Sequence, residues 1–213
     1  VLMKKFFLAA ILAMAALSAS AETNVNLIFS PQFDSKFGVR VGADFDIRLG
    51  QSKFSFVPGF YWSLRVNSSA PSISYDGHVE QYAKSYDTSN WISVPLRFAF
   101  NIKPGSEKLQ TQLFLGPYVA VGLGGTTTVK DPDTGEVISK ADSFSKDGYY
   151  DRRFDAGLNL GANFIIKKHF VLGVWGEFGF VSLGNDLSHS FPGIFTAVYT
   201  FNVGGGLNLG YRF

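Results

Sequence analysis

The sequence predicts an all-β fold, an eight-stranded antiparallel up-and-down β-barrel that crosses a membrane. Three observations lead to this prediction. Apolar residues recur at every second position in eight segments, as they do in strands whose successive side chains point to opposite faces. Short and long connections alternate between these segments. The apolar face carries more bulk than the interior of an eight-stranded barrel accepts.

The first 21 residues predict a secretory signal peptide. Lys4 and Lys5 precede an apolar run at 6–17, and small residues follow at 19–21. The alternative is an uncleaved membrane anchor, but the run is shorter than the roughly 20 residues that a spanning helix needs. We therefore expect residues 1–21 to be the signal peptide and residues 22–213 to be the barrel domain.

The eight strands are predicted from alternation alone. The second is the clearest, because Val39, Val41 and Ala43 alternate with Arg40 and Asp44. The strands cover residues 25–29, 37–49, 54–67, 92–102, 112–124, 153–164, 170–180 and 195–213.

The connections predict the topology. Short ones fall at 50–52, 103–108 and 167–169, and longer ones at 30–36, 68–90, 126–151 and 184–193. Outer-membrane barrels have tight periplasmic turns and longer outer loops. Both chain ends should then lie on the periplasmic side.

A soluble lipocalin-like barrel also has eight alternating strands, but its apolar face points inward. Here the polar face is composed of Gly, Asn, Ser, Arg and Asp with hardly a lysine, so we expect the apolar face to contact lipid. Charges must then share the lumen, where they need paired, hydrogen-bonded partners. We interpret them as a structural plug, with a proton or ion relay as the alternative. The predicted interior charge cluster comprises Arg40, Asp44, Asp46, Arg48, Arg65, Arg97, Arg153, Asp155, Glu177 and Arg212.

Aromatic residues are predicted in two places. Those on the apolar phase near strand ends indicate interface girdles, although strand propensity alone would also place aromatics there. The girdle residues are Trp62, Tyr199, Tyr211 and Phe213, whereas Trp91 and Trp175 fall on the inward phase and should fill the lumen.

Little in the sequence indicates catalysis or a cofactor. The three histidines, His78, His169 and His189, do not have the spacing of metal ligands. The best nucleophile and base set is His189 with Ser188, Ser190 and Asp186, and we interpret it as a solvated loop. The segment 131–136 lacks the rest of a calcium loop and predicts a hairpin tip above the membrane. We expect no catalytic residues, no metal, no cofactor and, at a net charge of +2, no nucleic-acid partner.

Four short motifs resemble the PorT-like outer-membrane β-barrel family of Bacteroidota. They are Ser93-Val94-Pro95-Leu96, Leu115-Gly116-Pro117-Tyr118, Phe154-Asp155-Ala156-Gly157 and the closing Gly210-Tyr211-Arg212-Phe213. The resemblance implies an eight-stranded outer-membrane barrel and, for a few members, a part in protein secretion. The closing motif is similar to the terminal aromatic signature of bacterial outer-membrane barrels, which implies that Tyr211 and Phe213 form an assembly signal.

The expected function is a non-enzymatic structural or interaction role in the outer membrane of a Gram-negative bacterium. A secretion component, a membrane enzyme at the rim and a small pore are the alternatives. The expected partners are outer-membrane lipid, the barrel assembly machinery and an unknown protein at the outer loops. Loop tyrosines could supply that contact area or could pack the loops together. They are Tyr75, Tyr82, Tyr86, Tyr149 and Tyr150.

Overall fold

The computed structural model describes residues 23–33, 37–68, 72–76, 79–102, 108–146, 148–181, 183 and 202–213. These residues form ten strands. They are β1 (Thr23–Phe33), β2 (Phe37–Arg48), β3 (Phe54–Ser68), β4 (Ser72–Asp76), β5 (Val79–Ile102), β6 (Leu109–Lys130), β7 (Val137–Asp142), β8 (Phe154–Ile166), β9 (Phe170–Gly179) and β10 (Val203–Arg212). No helix in the described part of the chain is long and apolar enough to cross a membrane.

Eight of the described strands close into one antiparallel barrel, which confirms the predicted fold. The order is β1, β2, β3, β5, β6, β8, β9 and β10, and β10 pairs back with β1. Closure runs from Asn26 opposite Arg212 to Phe33 opposite Gly205. The amide of Phe213 extends this seam by donating to the carbonyl of Val25 at 2.9 Å. A closed sheet leaves no strand edge in the membrane-spanning wall.

The first strand differs from its prediction. Alternation predicted that it ends at residue 29, but β1 continues to Phe33, and Pro31 pairs with Val39. Ser30 and Gln32 continue the inward phase, so the proline does not interrupt the strand. The prediction of a long first connection over 30–36 was therefore wrong, because only residues 34–36 separate β1 from β2.

Two of the predicted long loops contain β-hairpins. In the segment predicted as 68–90, β4 pairs with the start of β5. In the segment predicted as 126–151, β6 continues to Lys130 and pairs with β7, as the hairpin prediction required. The first half of the predicted eighth strand, 195–201, lies outside the described residues.

The barrel has two dissimilar ends. We call one the turn end; it carries the turns 49–53 and 167–169 and the described residues Thr23 and Phe213. The other is the loop end, where the two hairpins extend. The predicted facing is confirmed, because Val41, Leu160 and most large apolar strand residues lie outside, and arginines, carboxylates and amides lie inside. A few apolar residues are buried with them, among them Ile28, Val57 and Phe114.

Candidate functional site

The lumen of the barrel holds a network of buried charges. Within the described residues, four arginines and four carboxylates make up its ion pairs. They are Arg40, Arg65, Arg97, Arg212, Asp44, Asp46, Asp155 and Glu177. Each charge comes from the inward phase of a strand, so the alternation that exposes Phe and Leu to lipid also fixes these groups inside.

The layer next to the turn end is organised around Asp46. Arg212 donates from Nη2 to Asp46 Oδ2 at 2.8 Å and from Nε to Asn26 Oδ1 at 2.7 Å. Gln112 donates from Nε2 to the same Asp46 oxygen at 3.1 Å, and to Asn101 Oδ1 at 3.1 Å. Because Arg212 lies on the last strand and Asp46 on the second, this layer ties the barrel seam together.

Asp44 is the centre of the middle layer. Its Oδ1 accepts hydrogen bonds from Arg97 Nη2 and from the Tyr61 hydroxyl, the latter at 2.5 Å. Arg97 also donates from Nε to the carbonyl of Val57 at 3.3 Å. A Cβ at position 59 would lie 2.6 Å from Asp44 Oδ1, so Gly59 leaves the space that this carboxylate occupies.

Arg40 connects the middle layer to the layer above it. Its guanidinium carbon lies 3.4 Å from the ring centre of Trp175 and 4.3 Å from that of Tyr61. Its Nη1 donates to Glu177 Oε1 at 3.0 Å, and Asn159 donates to the same oxygen at 3.1 Å. Aromatic faces stabilise a desolvated guanidinium, so Trp175 contributes electrostatically as well as filling the lumen.

The layer nearest the loop end joins two carboxylates through one arginine. Arg65 lies 3.8 Å from Glu177 Oε2 and 3.7 Å from Asp155 Oδ2, measured from its terminal nitrogens. Asp155 also accepts hydrogen bonds from the Tyr118 hydroxyl and from Asn202 Nδ2, both at 2.8 Å. Arg40, Glu177, Arg65 and Asp155 thus form one continuous chain of opposite charges.

Two members of the predicted cluster are less buried than the others. Arg48 is only half-buried. Arg153, predicted inside the lumen, lies at the loop end with a side chain 51% exposed, and its Nη2 is 3.5 Å from Asp142 Oδ1. The prediction for Arg153 was wrong because β8 begins at Phe154, so the inward phase does not extend to the preceding residue.

An aromatic cluster closes the loop end of the lumen, and we call it the cap. Residues 143–146 and 148–151 fold across the opening and place Phe144 and Tyr150 against Trp91, with ring centres 5.2 and 5.3 Å from the indole. Phe144 and Tyr150 stack on each other at 5.3 Å. A Cβ at Gly122 would overlap the Phe144 ring, so this glycine provides its seat.

Polar groups fasten the cap to the strands beneath it. The Tyr149 amide donates to Thr127 Oγ1 at 3.1 Å, and that hydroxyl donates to Asp87 Oδ1 at 2.9 Å. Asn67 donates to the Tyr150 hydroxyl at 2.6 Å. Burial raises the pKa of Tyr149 and of Tyr150, and the negative charge of Asp87 raises both further.

Sequence reasoning did not find the cap, although it named several of its residues. The sequence left two interpretations of Tyr149 and Tyr150, a contact surface for a partner or packing of the loops against each other. The structure places both rings in internal packing. The available signal was the inward phase of Trp91 opposite the glycines of β6. Small residues facing a tryptophan leave room that another segment must fill.

The remaining predicted features lie apart from the lumen. The side chain of Asp131 accepts amide hydrogen bonds from Asp133 at 2.8 Å and Thr134 at 2.9 Å, which lower its pKa and form the hairpin tip. Trp62, Tyr211 and Phe213 face outward. Tyr199 and the set around His189 lie outside the described residues. Among the described residues, no three His, Cys, Asp or Glu side chains come close enough to share a metal ion.

Comparisons with known proteins agree with this architecture. The family described as outer membrane protein beta-barrel domain matches residues 12–185. No curated protein sequence matches the chain significantly. A major outer membrane protein from Thermus thermophilus is similar in structure, at 11% identity and a TM-score of 0.52, covering 90% of this chain and 99% of that one.

Two further solved structures are less similar. Ail, the attachment invasion locus protein of Yersinia pestis, has 13% identity and a TM-score of 0.38, with 90% of this chain and 96% of that chain covered. The N-terminal barrel domain of Pseudomonas aeruginosa OprF has 10% identity and a TM-score of 0.34, with the same coverage. Of these three structures only the Thermus protein exceeds a TM-score of 0.5, and at its identity it supports the fold alone.

Proposed function

Because the chain belongs to the outer membrane protein beta-barrel domain family, we propose that this outer-membrane barrel is a non-enzymatic interaction protein that acts through its loop end. The observation that carries the proposal is the filled lumen. Paired charges run from Asp46 near the turn end to Asp155, and the cap closes the loop end. Because the interior side chains stabilise the barrel, the surface available for a function lies outside the lumen.

The filled lumen argues against a small pore. An eight-stranded barrel is just wide enough for side chains to fill its interior. Here Trp175 and Tyr61 both pack against Arg40, and Trp91 lies in the cap. We expect single-channel recording in planar bilayers to give no stable conductance. Reproducible open levels from the purified barrel would contradict the proposal.

The interaction surface that we propose lies on the β6–β7 hairpin. β7 has exposed side chains along nearly its whole length, including the apolar Val137 and Ile138. In the described sheet β7 pairs only with β6, so its other edge presents backbone groups that a partner strand could bind. Exposed apolar side chains at an open edge favour a protein partner over a soluble small molecule.

Cross-linking in native membranes followed by affinity capture tests this surface. The double substitution Val137→Ser and Ile138→Ser should abolish a captured partner, because it removes the apolar contact and leaves the barrel wall intact. Ser139→Ala, in the same strand, is the control and should retain the partner. Equal recovery of the partner with both variants would exclude this hairpin as the binding surface.

A narrower proposal is that the partner belongs to a protein secretion system. It is supported by the PorT-like resemblance of Ser93–Leu96, Leu115–Tyr118, Phe154–Gly157 and the closing motif. A strain without this protein should then lose exported proteins from the medium, and the intact chain should restore them. Unchanged secretion in the deletion strain would leave the interaction role and remove the secretion role.

The end of β10 supports a second interaction, with the barrel assembly machinery. Tyr211 and Phe213 face outward, and their rings contact each other with centres 4.9 Å apart. Deleting Phe213 should slow the appearance of heat-modifiable barrel in cells more than it lowers urea stability, because one partly buried Phe contributes less than about 1.5–3 kcal/mol. Phe170→Ala, in the same aromatic group, is the control. A stability loss without a slower assembly rate would make Phe213 an interface anchor only.

Export through a cleaved signal peptide completes the proposal. Residues 1–21 lie outside the described residues, and the support is their basic, apolar and small-residue pattern. N-terminal sequencing of protein isolated from outer membranes should begin at Glu22. A chain retaining residues 6–17 would contradict cleavage and favour the anchor.

A further inference from the structure

Two lysines occupy an unfavourable backbone conformation in the turn between β8 and β9. Lys167 has a φ of 51° and Lys168 a φ of 69°, and the His169 amide donates to the Ile166 carbonyl at 3.1 Å. This is the geometry of a type I′ turn, for which Asn-Gly is strongly preferred because both central residues have positive φ. A side chain kept in a disfavoured conformation indicates a function for that side chain.

A third lysine lies beside this turn. The Lys167 amide donates to the Lys108 carbonyl at 2.7 Å, and the side chains of Lys108, Lys167 and Lys168 are all exposed. Lys167 and Lys168 are adjacent at the tip of the turn, and both side chains are exposed, so the surface of the β8–β9 turn is cationic.

The lysines adjoin a group of amphipathic rings. His169 stacks on Tyr211 with ring centres 5.3 Å apart and planes 10° apart, and its Nδ1 lies 3.0 Å from the Arg212 carbonyl. Phe170 meets Tyr211 edge-on at 5.9 Å. Rings with one apolar and one polar side concentrate at the boundary between hydrocarbon and headgroups. Ile166 and Phe170, which flank the turn, are both exposed on the lipid side.

We propose that Lys108, Lys167 and Lys168 form a site for the phosphate of an anionic phospholipid in the leaflet next to the turn end. The ammonium groups supply the charge, and Ile166 and Phe170 contact the acyl chains below the headgroup. Continuity with the lipid-facing wall favours a membrane lipid over an acidic protein, since the lysines and the apolar residues belong to one surface. The proposal depends on the outer-membrane location and not on the proposed partner at the loop end.

The test uses the barrel in phosphatidylcholine nanodiscs, with binding of short-chain phosphatidylglycerol measured by native mass spectrometry and calorimetry. The decisive variant is Lys167→Asn with Lys168→Gly, which removes two charges and has the residues that the turn prefers. Its binding should weaken roughly 30-fold, from the attraction that two lysines add near an anionic membrane surface. Its melting temperature in phosphatidylcholine should be unchanged or higher, so a folding failure cannot imitate the result.

Two controls separate the sources of binding. Lys167→Arg with Lys168→Arg keeps the charges and should keep the affinity, and Lys130→Gln with Lys140→Gln removes two charges from the loop end and should also keep it. Equal weakening by the loop-end variant would overturn the proposal in favour of a general charge effect. Equal binding of inorganic phosphate, or of an acidic peptide of the same charge, would also overturn it, because the site would then not be one for lipid.

Discussion

The interior of this barrel is filled in two different ways. Between the turn end and Asp155 the filling is organised around charged side chains from the barrel strands, joined in ion pairs such as Arg97 with Asp44, with rings such as Trp175 packed against them. At the loop end the filling is aromatic, and Phe144, Tyr149 and Tyr150 come from the segment between β7 and β8. A strand residue cannot leave the lumen unless the wall opens, whereas a loop can leave an intact wall.

The two fillings also differ in how they respond to damage. A buried ion left without its partner keeps its desolvation cost, so removing one member of a pair costs more than the pair contributes. An aromatic cluster loses contact area gradually, and water can reach the position that is lost. We therefore expect the charge network to determine global stability and the cap to determine local opening.

The largest effect is expected from Asp44→Asn. The substitution keeps the shape of the side chain and removes the charge that Arg97 faces, which should lower the free energy of unfolding by about 3–5 kcal/mol. Urea unfolding of the refolded barrel in detergent measures this loss.

The control for the network is the double variant Asp44→Asn with Arg97→Met. Because the second change removes the unpaired guanidinium, the double variant should be more stable than Asp44→Asn alone. Additive losses from the two substitutions would mean that packing, rather than charge pairing, stabilises the middle layer.

The cap should respond to Phe144→Ala with a smaller and local change. We expect the free energy of opening the cap to fall by about 2 kcal/mol. This is below the usual range for a fully buried Phe because the Phe144 ring is only partly buried. Hydrogen exchange should speed up over residues 143–151 while the urea midpoint of the barrel changes little. Phe180→Ala, an exposed phenylalanine at the same end, should change neither. A midpoint lowered as far as by Asp44→Asn would show that cap and wall unfold together.

Alkaline pH should destabilise the cap without affecting the charge network. The pKa of both Tyr149 and Tyr150 is raised in the folded protein. Their contribution to the stability of the cap is therefore complete below about pH 10, the ordinary pKa of tyrosine, and is lost as the pH rises above it. Hydrogen exchange of residues 143–151, corrected for its intrinsic pH dependence, should reveal this loss. With Tyr149→Phe and Tyr150→Phe the pH dependence should disappear. Its persistence in that variant would assign the effect to another group.

The division between wall and loop also separates what the sequence predicted from what it did not. Period-2 alternation located the barrel strands and put Arg40, Asp44 and Trp175 inside, because facing in a strand is a local property. The pairing of those charges is not local. Arg40 meets Glu177, 137 residues away, and that contact depends on the stagger between strands when the barrel closes.

The errors have the same origin. The cap depends on a segment folding back over Trp91, and its only trace in the sequence is the row of small residues opposite that ring. β1 was predicted to end at residue 29, although Ser30 and Gln32 continue the inward phase on either side of Pro31. Arg153 was placed inside by extending the inward phase to the residue before β8 begins.

Arg153 supplies the smallest expected effect and the sharpest contrast with Arg97. Its pair with Asp142 joins side chains 51% and 48% exposed, so water already solvates both charges. Arg153→Met should cost no more than about 1 kcal/mol, and its methylene chain can still cover the Phe144 ring that the guanidinium now faces at 4.8 Å. Asp142→Asn removes the other charge of the pair and should lower the free energy of unfolding by a similarly small amount. Salt near 1 M should reduce the contribution of this ion pair to stability. A loss as large as that of Asp44→Asn would mean that burial does not distinguish the two pairs, and that the contrast between network and cap rests on something other than desolvation.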